Sequence, residues 1–135
     1  MLVLDTHVWI WLVAGDAALA RRAREAIENA AAEGAVVVPA ISVWEVAMLE
    51  AHGRIVLAKP CAQWVNEALA APGLALGALA PEIAVESCNL PAPFHDDPAD
   101  RMIVATARVA GATLLTRDKR ILDYGARGHV AVMRA

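Results

Sequence analysis

Four of the fifteen acidic residues in this chain, Asp5, Glu45, Asp100 and Asp118, stand at the starts of elements rather than along wet helix faces. Asp5 closes the apolar run Met1-Leu2-Val3-Leu4, and Asp118 follows Leu114-Leu115-Thr116. Glu45 lies one short loop beyond Val36-Val37-Val38-Pro39, and Asp100 falls in the first turn of its own helix. Carboxylates gathered within a few ångströms repel one another strongly. Hard cations with oxygen ligands relieve that repulsion, so the pattern points to one or two Mg²⁺ or Mn²⁺ ions.

Each position also has a plainer structural reading. Ser42-Val43-Trp44-Glu45 has the form of a capping box, in which serine caps the helix and glutamate reaches back. Asp97-Pro98-Ala99-Asp100 is a good helix opening, with Asp97 as N-cap, Pro98 at N1 and Asp100 at N3, where the helix dipole favours negative charge. Asp118 can cap the helix it precedes. Asp5 is the hardest to explain this way, because a carboxylate ending a buried strand is costly unless something pairs with it. Individually the four signals are weak; together they describe one acidic pocket.

Those positions imply a scaffold. Short apolar runs at Met1–Leu4, 35–39, 74–79, 112–116 and 129–133 read as buried strands. Between them lie helical stretches: Val8–Val13, an alanine-rich helix capped by Asp16 and stopped by Gly34, Ser42 to His52-Gly53, Cys61–Ala71, Pro81–Cys88, Pro98–Ala110 and Asp118–Tyr124. Alternating strands and helices predict a three-layer α/β/α domain with a five-stranded parallel sheet, spanning residues 1–135 as one unit. In such sheets the carboxyl ends of the strands make the ligand crevice, which is where three of the four acids fall.

The chain has 135 residues, 59% of them hydrophobic, and a formal charge of −3. That is apolar for a domain of this size and predicts a large buried interface with a second copy or another protein. No apolar run approaches the roughly 18 residues of a membrane helix. Val8–Ala14 has no basic leader and does not read as a secretory signal. Cys61 and Cys88 lack CxxC partners and read as reduced thiols of a cytoplasmic protein. A net negative charge opposes phosphate binding. Two bound divalent ions would reverse the sign at the most acidic spot. Basic residues also gather late, at Arg101, Arg108, Arg117, Lys119, Arg120, Arg127 and Arg134. No histidine or cysteine cluster has zinc spacing, and neither a GxxxxGK loop nor a GxSxG elbow occurs. Trp9, Trp11, Trp44 and Trp64 read as core or interface residues rather than base-stacking platforms.

Four segments together resemble PIN domains, in order and in spacing: Leu4-Asp5-Thr6-His7-Val8, Ile41-Ser42-Val43-Trp44-Glu45-Val46, His95-Asp96-Asp97-Pro98-Ala99-Asp100-Arg101-Met102-Ile103 and Leu115-Thr116-Arg117-Asp118. The chain looks most like the VapC toxins of bacterial VapBC pairs, from Leu2 to about Val132. The resemblance implies that Asp5, Glu45, Asp100 and Asp118 are catalytic metal ligands, supported by Thr6, Ser42 and Thr116. Where that family often has a basic residue and an aromatic in its third motif, this chain has Asp96 and Ala99, so Asp96 or Asp97 is a candidate further ligand. His7, Arg101 and Arg117 are candidate substrate contacts.

The activity so implied is that of a metal-dependent endoribonuclease, the toxin of a type II toxin–antitoxin pair, leaving a 5′ phosphate and a 3′ hydroxyl. Its expected partners are RNA, a VapB-like antitoxin and a second copy in a homodimer. Two alternatives stand beside it. A receiver-type signalling domain shares the fold class but needs a phosphoacceptor aspartate after the central strand, where Leu79-Ala80-Pro81 stands. A non-catalytic PIN-like module would bind RNA without cutting it.

Overall fold

Five short strands pair side by side, all parallel. The computed structural model describes residues 1–135. Along the chain these elements are β1 (Leu2–Leu4), α1 (Thr6–Ala14), α2 (Arg21–Ala32), β2 (Val36–Pro39), α3 (Ala40–Ala51) and α4 (Cys61–Leu69). They continue with β3 (Leu74–Gly77), α5 (Pro81–Cys88), α6 (Pro98–Ala110), β4 (Thr113–Thr116), α7 (Lys119–Ala126) and β5 (Val132–Arg134). The expected three-layer architecture holds.

Alternation along the central strands divides the core. Leu4 and Leu115 face one layer with Val8, Trp9, Ile27, Trp64 and Val65, whereas Val3 and Leu114 face the other with Ile103, Val104, Ile121 and Tyr124. Trp9 and Trp64 meet edge to face at 5.0 Å, and both are buried as expected of core residues. Trp44 is 56% exposed. Helix α3 touches α1, α4 and α6, and so joins the two layers.

β1 pairs with β2 through Leu2↔Val36 and with β4 through Leu4↔Leu115. From β1 the chain builds outward to β2 and β3, then returns to lay β4 and β5 on the other side. The crossovers therefore reverse between β1 and β4, and such a switch point opens a crevice at the carboxyl ends of the strands.

Several boundaries differ from those expected, each for a local reason. Helix α1 begins at Thr6 instead of Val8, because Asp5 Oδ1 accepts the Thr6 amide at 2.7 Å and caps it at once. Asp16 does not cap α2. Gly15, at φ 63°, closes α1, and Asp16 Oδ1 accepts the Ala18 amide in a turn, so α2 waits until Arg21. Helix α3 starts at Ala40 directly after β2, which places Ser42 inside it rather than at its cap. Strand β5 begins at Val132, not His129; Gly128 turns the chain at φ 86°, and the first bond to β4 runs from the Leu114 amide to the Ala131 carbonyl. Gly73 shows why the entry to β3 is fixed: a Cβ there would lie 2.0 Å from the Ala31 carbonyl oxygen, at φ +82°.

Candidate metal centre at the switch point

Asp5 leaves β1 directly into the crevice, and only 3% of it is exposed. Its Oδ2 accepts the Thr116 hydroxyl at 2.6 Å, while Oδ1 caps α1. Burial raises the Asp5 carboxyl above the ordinary carboxylate range, against the opposing effect of its hydrogen bonds from Thr116 and Thr6.

Thr116 ends β4 and does two jobs at once: its hydroxyl donates to Asp5 and accepts the Asp118 amide at 3.0 Å. Asp118 in turn caps α7 through a 3.0 Å bond from the Ile121 amide to its Oδ1. The same kind of bridge operates on the β2 side. Thr6 donates its hydroxyl to Glu45 Oε1 at 2.6 Å and lies 2.9 Å from the buried Ser42 hydroxyl. Glu45 therefore faces the crevice and not the amide of Ser42, so the Ser42–Glu45 capping box is absent. Burial raises the Glu45 carboxyl, and the nearby Asp5 and Asp97 charges add to the rise.

Asp100 reaches the same place from the first turn of α6. Asp97 caps that helix by accepting the Asp100 amide at 3.0 Å, with Pro98 in the first turn. Asp100 is pushed up to about 7, first by burial and then by the charges of Asp5, Asp97, Asp118 and Glu45. The pocket thus holds more negative potential than its own hydrogen bonds can absorb.

Asp5, Glu45, Asp100 and Asp118 all line one cavity of about 190 Å³, together with Thr6, His7, Ile10 and Leu49. One donor atom each from Asp100, Asp118 and His95, which is not part of the cavity lining, lie within 4.8 Å of one another. His95 Nε2 is 3.1 Å from Asp100 Oδ2. That histidine, which opens the third PIN-like segment and was not among the candidate ligands, is the one nitrogen donor of the set; its spacing of five residues before Asp100 was the available signal. Carboxylate oxygens with a single imidazole suit Mg²⁺ or Mn²⁺, so the residues fit a hard divalent ion. Asp97 serves as a helix cap, and Asp96 is exposed.

The candidate substrate contacts divide. His7 lines the cavity. Arg101 donates to the carbonyls of Ser87, Phe94 and His95 and pins the loop before α6. Arg117 donates to the Ala135 and Ala18 carbonyls. Both guanidinium groups thus act as braces between segments.

An acidic cavity at the switch point of a five-stranded parallel sheet defines an α/β domain whose carboxylates could hold a divalent cation. Residues 2–126 match the PIN domain family model, and the chain belongs to that family. It is 39% identical over 122 residues to Ribonuclease VapC22 of Mycobacterium tuberculosis, covering 90% of each chain. Three solved structures share the fold. They are VapBC2 from Rickettsia felis bound to a promoter DNA fragment (TM-score 0.69, 11% identity, 98% and 97% of the two chains), a toxin–antitoxin complex from Klebsiella pneumoniae (0.65, 21%, 98% and 96%) and FitAcB from Neisseria gonorrhoeae (0.62, 22%, 98% and 96%). Membership in this family sets aside the receiver-domain alternative. No helix is long and apolar enough to cross a membrane.

Proposed function

We propose that this chain is a metal-dependent endoribonuclease, the toxin of a type II toxin–antitoxin pair. One observation carries the reading: four carboxylates from residues 5 to 118 line a single cavity at the sheet's switch point. Its likeness to a relative named a ribonuclease supports the same activity.

Asp5, Glu45, Asp100 and Asp118 would hold the ion or ions, with His95 beside Asp100. A divalent ion bound there supplies a water nucleophile at neutral pH and offsets charge at the phosphorus. The chain's own residues set the stage. Thr116 fixes the Asp5 carboxylate and the Asp118 amide in one frame, and Thr6 orients Glu45. No side chain needs to act as a general base in a pocket so dominated by carboxylates. The cavity opens at the strand ends, which suits single-stranded or looped RNA that a protein can approach from several sides.

The partners follow from the same reading: RNA as substrate, a VapB-like antitoxin as inhibitor, and a second copy in a homodimer, all in the cytoplasm. Incubation with RNA and Mg²⁺ or Mn²⁺ should yield fragments bearing 5′ phosphates. Asp5→Asn and Asp100→Asn should each remove cleavage while circular dichroism stays unchanged. Full activity in both variants would sink the site assignment, and RNA binding without any cutting would favour the non-catalytic alternative.

A further inference from the structure

His7 sits where the four carboxylates alone do not require a histidine. Its Nδ1 lies 3.7 Å from Asp5 Oδ2, and its Nε2 accepts the Arg117 amide at 2.9 Å. A ring nitrogen that accepts an amide proton carries none itself, so the neutral ring bears its proton on Nδ1, toward Asp5. The ring is held edge to face against Trp11 at 5.0 Å. Trp11 in turn lies 5.1 Å from the Arg117 guanidinium, which is itself tied to the Ala18 and Ala135 carbonyls.

Asp5 and the segment carrying Asp118 are thereby joined twice. The Thr116 hydroxyl links the Asp5 carboxylate to the Asp118 amide. On the other side, His7, two residues beyond Asp5, accepts the amide of the residue just before Asp118 through Nε2, while its Nδ1 lies 3.7 Å from the Asp5 carboxylate, outside hydrogen-bond range. We infer that His7 is a positioning residue: its imidazole clasps the β4–α7 connection to α1 and fixes the separation of Asp5 from Asp118 across the cavity. This rests on the nuclease reading for its consequence in catalysis, but not for the clasp itself.

Any substrate contact would have to use Nδ1, because Nε2 is taken up by the protein backbone. Groups that orient metal ligands typically change metal affinity or activity by about 10–100-fold when removed.

Three variants test the inference. His7→Phe keeps a ring against Trp11 and removes the acceptor; His7→Leu does the same without a ring; His7→Gln places an amide oxygen near the position of Nε2. Melting temperature is read first, and whichever of Phe or Leu retains the wild-type value is carried forward. In that variant the Arg117 amide should lose protection from hydrogen exchange. Mn²⁺ affinity, titrated without RNA, should fall by about tenfold or more. The kcat for RNA should fall in step, with KM unchanged. His7→Gln should restore both amide protection and Mn²⁺ affinity. Wild-type protection and Mn²⁺ affinity in the acceptor-free variant would overturn the clasp, as would a rise in KM alone with kcat intact. If no form of the protein cut RNA, amide protection and Mn²⁺ affinity would still decide the clasp, and only the nuclease reading would fall.

Discussion

The Asp100 carboxyl is the residue at which burial and like charge meet most sharply. Its ordinary value of 3.8 is raised to about 7 in the metal-free protein, first by burial and then by four neighbouring carboxylates. A raised carboxyl stabilises the fold fully below its unfolded value, and that contribution is lost as pH rises through the folded value. The metal-free wild type should therefore lose stability between about pH 4 and pH 7, over and above what its other groups contribute. Asp100→Asn removes the charge and this dependence. Melting in EDTA from pH 4.5 to 8 should show the variant gaining on the wild type as pH rises, and losing that advantage when Mn²⁺ is added to the wild type. Parallel curves would show that Asp100 carries no such strain. The residue scale also sets what was legible beforehand. Asp5 stood out because a strand-end carboxylate has no cheap structural excuse. Glu45 was harder to read, since Ser42-x-x-Glu45 is a sound local capping motif, and only the long-range hydrogen bond from Thr6 shows where the side chain goes.

At the scale of elements, local chemistry read well wherever it acted alone. Asp97-Pro98 opens α6, as the sequence suggests, and Gly111 ends it in the left-handed conformation. The five strands were visible as apolar runs because a parallel sheet is buried on both faces. Readings slipped where a tertiary contact set the boundary. Ser42 resembles a cap, but the direct handover from Pro39 to Ala40 starts α3 earlier and turns its hydroxyl toward Thr6. His95 does not stand out in the sequence because it sits on an irregular loop that Arg101 ties down beside Asp100, an arrangement no periodicity records. The division of labour at the start of α6 yields a test. Asp97 caps the helix through its Oδ1, and Asn caps almost equally well. Asp97→Asn should keep both stability and RNA cleavage, whereas Asp97→Ala should lose about 1 kcal/mol in urea unfolding. Loss of cleavage in the Asn variant, with the fold intact, would instead make Asp97 a metal ligand.

Considered whole, the molecule meets a polyanion with a formal charge of −3. No lysine or arginine lines the cavity. Arg101 and Arg117 are held by backbone carbonyls, Arg108 pairs with Glu86, and Lys119 pairs with Asp123. Proteins that grip nucleic acid through many lysine and arginine contacts show steep salt dependence, because each neutralised phosphate releases counterions. Here the strongest local positive charge would be the metal itself, bound where Asp5, Glu45, Asp100 and Asp118 converge. RNA affinity should therefore depend on the divalent ion more than on ionic strength. An oligonucleotide with methylene in place of its 3′-bridging oxygens cannot be cut and reports binding alone by fluorescence anisotropy. It should bind about tenfold or more tightly in Mn²⁺ than in EDTA, a difference of roughly 1.4 kcal/mol or greater. In Mn²⁺ its affinity should fall with salt on a slope of only about one to two phosphate contacts. Equal affinity in EDTA, with a steep salt slope, would move RNA recognition away from the acidic cavity and onto a basic surface elsewhere on the molecule.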